Sequence, residues 1–248
     1  LVTRVQTCAL PIYTYGTGSF VLTNVGSTLP APVDGLLTTV AWSLAPGSVT
    51  YAMEGAIFVT GAAIQWLRDG LGIIAEAAET GPLAASVPDT GGVFLVPAFT
   101  GLGSPWWDPY ARGTITGITR GTTRAHLARA AVEAMAFQTA DVVDAIAAAS
   151  GTAPTEMRVD GGASVMDLLC SLQADLLGVT VRRAAVAETT ALGAAFLAGL
   201  AEGVWDSTKD IADAWHLDRR FEPQPTGTEG ADYERWLRGV QRSLNWQR

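Results

Sequence analysis

Three stretches carry residue types that could hold a ligand. In Arg158-Val159-Asp160-Gly161-Gly162-Ala163-Ser164, two adjacent glycines follow the polar–apolar alternation of Glu156 to Val159. They precede Leu168, Leu169, Leu172 and Leu176 at helical spacing. That order reads as strand, glycine turn and helix, with Ser164 and Asp167 forming a capping box. A glycine pair lets a ligand approach the backbone without a Cβ in the way, and a helix start offers unpaired N–H groups. The combination suits a nucleotide, although an ordinary tight turn of an α/β domain fits the same seven residues equally well. Gly16-Thr17-Gly18 lies between two β-rich runs. Its glycines would free backbone N–H groups, and the Thr17 hydroxyl could reach a phosphate oxygen. A plain hairpin turn with an incidental threonine fits as well. Gly61-Ala62-Ala63-Ile64-Gln65 opens a helix with small residues, so a flat ligand could lie on it and Gln65 could hydrogen-bond that ligand. Close packing is the simpler account of those small residues.

Other chemistry is sparse. No Ser/His/Asp or Cys/His constellation is present, and His126 and His216 lack metal-ligand spacing. No catalytic residue and no metal site is therefore assigned. Asp160 is the best-placed single carboxylate, but before a glycine pair it could simply shape the turn. Gly101 to Asp108 is a loop with two adjacent tryptophans, suited to packing over another lobe or to stacking on a substrate; packing is the simpler account, with Asp108 and Arg112 fixing the loop's shape. Cys8 and Cys170 make no disulfide framework and fit a reducing compartment. A net charge of −8 argues against nucleic-acid backbone and anionic membrane surfaces as partners. No run approaches the ~20 apolar residues that span a bilayer.

The elements that must position these stretches follow from periodicity. Tyr13 to Leu22 reads as strand, turn, strand. Leu36–Trp42 and Val49–Met53 are two more β-rich runs, and together they suggest an antiparallel meander. Ile57 to Leu71 is helical in texture, and Ile73–Ala78 reads as a short helix stopped by Gly81-Pro82. Strands are expected at Val93–Phe99, Thr114–Ile118 and Val179–Arg182, and helices at Thr123–Ala149 and Thr190–Gly203. The small residues of the last helix would allow close contact, within the domain or at an interdomain hinge. Residues 206–230 are polar and proline-punctuated. Tyr233, Trp236, Leu237, Val240 and Leu244 then mark an amphipathic closing helix. Strands alternating with helices give an α/β pattern with a mixed sheet.

In order and at about the expected spacing, several runs resemble the glycerol kinases of the carbohydrate-kinase family, within the actin-like ATPase superfamily. They are Thr14–Gly18, Tyr51–Ala56, Gly61–Asp69, Pro97–Pro105, Trp107–Gly113, Arg158–Ala163 and Thr190–Ala195. The resemblance implies an actin-like ATPase (ribonuclease H-like) lobe with a mixed sheet flanked by helices. It implies a cytoplasmic enzyme that transfers the ATP γ-phosphate to glycerol, with ATP/ADP bound and Mg2+ held mainly through the nucleotide. Thr17 would touch the phosphates, Gly61 and Gln65 would flank the nucleotide, and Gly162 would abut the adenosine. Met166 stands where the family usually has Asn, and a thioether cannot supply the same hydrogen bonds. The family's first phosphate loop, polyol residues and catalytic aspartate belong to an N-terminal lobe that these runs do not include. That lobe is an expected partner, glycerol would bind only in the full-length protein, and the fragment alone should be inactive. A homo-oligomer is compatible with this reading. Another sugar kinase of the same family, or a non-catalytic actin-like nucleotide-binding module, are the alternatives. Arg4 to Ile12 has the look of translated adapter sequence, so residues 1–12 are expected to be extraneous. Residues 13–220 would form the kinase lobe, and 221–248 a linker and closing helix.

Overall fold

The computed structural model describes residues 11–224 and 226–248. Its strands are β1 (Ile12–Tyr15), β2 (Ser19–Gly26), β3 (Leu37–Ala45), β4 (Ser48–Ile57), β5 (Phe94–Val96), β6 (Thr114–Thr116), β7 (Glu156–Gly161), β8 (Thr180–Ala184) and β9 (Leu217–Phe221). Its helices are α1 (Gly61–Gln65), α2 (Thr80–Ala85), α3 (Arg124–Ser150), α4 (Asp167–Leu177), α5 (Thr189–Ala201), α6 (Thr208–Asp213) and α7 (Glu229–Ser243). A π-helical turn, Trp66–Gly70, continues α1.

Alternation along the strands decides which side of the sheet is core. Tyr13 and Tyr15 of β1, Val21 of β2, Met53 of β4 and Met157 and Val159 of β7 are all buried in one cluster. Helix α3 packs on β2 and β4, and α4 packs on β8 and β9. The seven-stranded sheet has the order β3-β4-β2-β1-β7-β8-β9. The β1–β7 and β7–β8 pairs are parallel and the others antiparallel, so this is a mixed sheet flanked by helices. Helix α3 follows its sequence signals: Thr123 precedes it, with its N–H donating to His126 Nδ1 at 3.1 Å, and Gly151 ends it at φ +69°.

The structure departs from the sequence expectations in several places. Ile12 is not extraneous: it pairs with Leu22 and Arg158, and the Pro11 carbonyl accepts the Arg158 N–H. Residues 1–10, Cys8 among them, lie outside the described residues. The first strands are not a meander, because β4 inserts between β2 and β3, leaving β3 at the edge. Ile57 belongs to β4, not to a helix. Gly81-Pro82 does not stop a helix but lies inside α2, where proline in the first turn removes an N–H that has no helical partner anyway. Ser164 does not cap α4; its hydroxyl donates to the Gly161 carbonyl at 2.7 Å, and Gly162–Val165 form a 3-10 turn before the helix. The polar stretch 206–230 contains α6 and β9, and β9 runs across the expected boundary at 220, with Phe221 buried in the main core.

A second core joins α7 to β5 and α3 through Phe94, Val96, Phe137, Trp236 and Val240. At its centre is Asp141 of α3. Its carboxylate accepts hydrogen bonds from Tyr233 Oη at 2.7 Å, Trp236 Nε1 at 2.9 Å and Trp106 Nε1 at 3.2 Å. Burial outweighs these donors and pushes the carboxyl up to about 6, from 3.8. Folding therefore takes up a proton in the intervening pH range. The contribution of Asp141 to stability is fully present below 3.8 and is lost as pH rises through about 6.

Two outcomes follow. Between pH 4 and 7 the chain should lose roughly 2–3 kcal/mol through this group. Asp141→Asn should flatten most of that slope in urea titrations; an unchanged slope would assign it elsewhere. Separately, a Cβ on Gly55 of β4 would come 2.1 Å from Val142 Cγ1 of α3. Gly55→Ala should cost about 1–3 kcal/mol by overpacking, and adding Val142→Ala should restore most of it. A double variant no more stable than the single one would show that this contact is not the cause.

Candidate nucleotide cleft

Strand β1 runs parallel to β7 with Tyr15 opposite Gly161. That register sets the turn after β1, Gly16-Thr17-Gly18, beside the turn after β7. Gly161 has φ +87°, and a Cβ on it would fall 2.3 Å from the Tyr15 carbonyl oxygen, so only glycine fits. The start of α1 then docks on the first turn. Thr60 N and Ala62 N both donate to the Thr17 carbonyl at 3.0 Å, and Gly61 N donates to the Gly16 carbonyl at 3.0 Å. The buried Thr60 hydroxyl reaches the Gly16 carbonyl at 3.0 Å and Ser19 Oγ at 2.7 Å. Thr60 and Ser19 thus hold the turn, a role the sequence reading missed; hydroxyls flanking a glycine turn were the available signal.

Between the two turns, α1, α2 and the start of α4 lies a cleft of about 840 Å3. Thr17, Gly61, Gln65, Gly162 and Met166, from three separate stretches, all line it. A second cavity of about 840 Å3 lies between β2 and the end of α3. None of the glycine-turn residues lines that one, so residue chemistry and not volume distinguishes the two.

The five residues stand there for different reasons. Gly61 is small because the turn requires it: a Cβ would sit 2.6 Å from the Gly16 carbonyl oxygen. The close-packing account of that stretch therefore holds. Gly162 is the opposite case. A Cβ there would meet nothing within 4 Å, and the residue is exposed to the cleft. The chain does not need glycine at 162; a ligand passing along the cleft would. Thr17 and Gln65 are exposed. Met166 is half-buried, and its side chain spans toward α2, with Cγ 3.4 Å from where a Gly81 Cβ would stand.

The sequence reading did not find the α2 wall: Ala77, Ala78, Gly81, Pro82 and Ala85 line the cleft too. Their small apolar side chains gave no signal beyond the supposed helix stop. Arg68 also lines it, with its guanidinium bidentate on Asp69 at 2.7 and 2.8 Å. The Asp160 carboxylate accepts the Thr189 hydroxyl at 2.5 Å and ties β7 to α5. Asp108 fixes its loop, accepting N–H groups of Tyr110 at 2.8 Å and Asn245 at 2.6 Å.

Burial pushes the Tyr15 phenol well above 10, and burial pushes the Cys170 thiol up to about 12. Asp167 forms ion pairs with Arg183 at 2.8 Å and with Arg219. Among the described residues no group of three or more His, Cys, Asp or Glu side chains could hold a metal ion. No helix of the described residues is long and apolar enough to cross a membrane.

Comparison with known proteins places the fold in a family. Residues 12–202 match the FGGY family of carbohydrate kinases, C-terminal domain. Glycerol kinase 2 of Thermotoga maritima is 57% identical over 236 residues, covering 95% of this chain and 47% of that protein. The glycerol kinase of Citrifermentans bemidjiense is 56% identical over 236 residues, with the same coverage. The chain spans about half the length of the curated relatives it matches. The crystal structure of Plasmodium falciparum glycerol kinase with ADP superposes with a TM-score of 0.86 at 32% identity, over 94% of this chain and 47% of that one. Xylulose kinase from Rhodospirillum rubrum superposes at 0.77 with 27% identity, over 97% of this chain and 48% of that one. The chain belongs to the FGGY family of carbohydrate kinases, and what it contains is that family's C-terminal domain.

Proposed function

We propose that this chain is the nucleotide-binding half of a cytoplasmic, ATP-dependent glycerol kinase that makes glycerol 3-phosphate. The observation that carries the reading is Gly162, a glycine the chain does not require, facing an open cleft that residues from three glycine-rich stretches share. The relatives at 56–57% identity are glycerol kinases, and the P. falciparum relative was crystallised with ADP. In this assignment Thr17 contacts the phosphates, Gly61 and Gln65 flank the nucleotide, and Gly162 and Met166 lie at the nucleoside. Mg2+ is held through the nucleotide phosphates. Glycerol and the catalytic base belong to a second lobe of similar size. Phosphoryl transfer needs acceptor, metal-bound phosphates and base in line.

Gly162→Val should keep the thermal midpoint, because the new side chain enters open space, yet weaken ADP binding at least about tenfold, since each 1.4 kcal/mol of clash is a factor of ten. Equal affinity by calorimetry in the folded variant would remove Gly162 from the site. Gly61→Ala should instead lower the thermal midpoint, its Cβ meeting a backbone carbonyl at 2.6 Å. The 248-residue chain alone should show no glycerol-dependent ADP release in a coupled assay, since positioning supplies roughly 7–11 kcal/mol of such a barrier. Turnover within about tenfold of a full-length glycerol kinase would show a complete site here.

A further inference from the structure

The turn Gly162–Val165 presents mostly backbone and small side chains to the cleft. Gly162, Ala163, Val165 and Met166 line that space, while Ser164 is buried behind them. Most hydrogen bonds of the turn are local. The Ser164 hydroxyl donates to the Gly161 carbonyl at 2.7 Å, and Met166 N donates to the Ala163 carbonyl at 3.1 Å. Cys170 Sγ donates to the Ser164 carbonyl at 3.3 Å, and a thiol is a weak donor. Bonds this short in sequence shape the turn without fixing where it stands over the sheet.

The long-range anchor is Arg183 of β8, which does not line the cleft. Its Nη1 donates to the Ser164 carbonyl at 3.0 Å and the Val165 carbonyl at 3.4 Å. Among the described residues it is the only side chain from beyond α4 that hydrogen-bonds residues 162–166. The same guanidinium reaches Asp167 at 2.8 Å and, through Nε, Asp218 of β9 at 2.6 Å, and it lies over the Phe221 ring at 5.3 Å. Only a planar fork of donors serves a turn and two carboxylates at once. A cation beside the start of α4 is disfavoured by the helix dipole, so helix stability does not account for an arginine here. Asp167 and Asp218 are about half exposed, and ion pairs to such groups add little to global stability. The carbonyl contacts are charge-assisted and are the stronger tie on the turn.

We infer that Arg183 is a positioning residue for nucleotide binding: from behind the wall it holds the turn Gly162–Val165 at the spacing the ligand needs. This rests on the nucleotide reading proposed above. Without the guanidinium the turn keeps its local bonds but loses its place, and a ligand must then bear the cost of ordering it.

The test is calorimetry with ADP on the 248-residue chain and on Arg183→Gln, Arg183→Lys and Arg219→Gln, with thermal midpoints and amide hydrogen exchange. Arg219 also pairs with Asp167 but does not touch the turn, so Arg219→Gln removes the same charge from the same carboxylate. Arg183→Gln should shift the midpoint by no more than about 5 °C. It should weaken ADP binding at least about tenfold and quicken exchange at 163–166 while β7 stays protected. Arg183→Lys, which keeps the charge without the fork, should bind ADP about threefold or more weaker than the parent and tighter than Arg183→Gln. Arg219→Gln should stay within about twofold of the parent. ADP affinity unchanged in Arg183→Gln, or equally weakened in Arg183→Gln and Arg219→Gln, would overturn the inference and leave the nucleotide reading intact. Should Arg183→Gln fail to fold, Arg183→Lys against Arg219→Gln decides in the same terms. If the parent chain binds no ADP with a dissociation constant below about 10 mM, the nucleotide reading and this inference both fall.

Discussion

The site depends on one register: Tyr15 of β1 opposite Gly161 of β7, in a parallel pair at the centre of the sheet. Parallel neighbours end on the same side, so the turns that follow them lie together. Strands this close leave no room for a side chain at 161, where a Cβ would fall 2.3 Å from the Tyr15 carbonyl oxygen. A one-residue slip would turn Tyr13 and Tyr15 out of the core and carry Thr14 in. The same burial that fixes the strand thus fixes the spacing of the two turns.

The start of α1 completes the arrangement. The Gly16 and Thr17 carbonyls accept its first N–H groups, so the turn after β1 is held from behind by a helix while Thr17 remains exposed in front. The turn is thus held in shape by protein contacts alone. Opposite it, the residues between Gly162 and Met166 use their hydroxyl and carbonyl groups to brace themselves against β7, α4 and Arg183. One wall is rigid and polar at its turn, the other rigid and apolar, and the cleft is the space between them.

The second core ties the far side of the lobe to the same frame. Asp141 gathers Trp106, Tyr233 and Trp236 around one carboxylate, linking the tryptophan loop, α3 and α7. Since α3 also packs under β2 and β4, the long helix is shared between the closing helix and the sheet that carries the cleft. A buried carboxylate with three donors fixes a unique arrangement more than it adds stability, because its desolvation offsets much of the gain.

The sequence by itself determined the elements whose signals are local. Helix α3 was legible from its 3.6-residue stripe and its terminal Thr123 and Gly151, α7 from five spaced apolar residues, and β1, β2 and β7 from alternation beside glycine turns. The five cleft residues were legible as separate stretches of glycine chemistry and from their resemblance to a family. Only the tertiary structure decided that β3 lies outside β4, that Ser164 bonds a turn carbonyl instead of capping α4, and that Pro82 begins a helix instead of ending one. It also separated three glycines that look alike in sequence. Gly61 and Gly161 are small because another part of the backbone stands within 2.6 Å of where a Cβ would be, and Gly162 has nothing there at all. Periodicity and capping act within a few residues and are written along the chain. The contacts that tell these glycines apart, and those that gather three aromatic rings on Asp141, join residues up to 146 positions apart and exist only once the sheet has chosen its register.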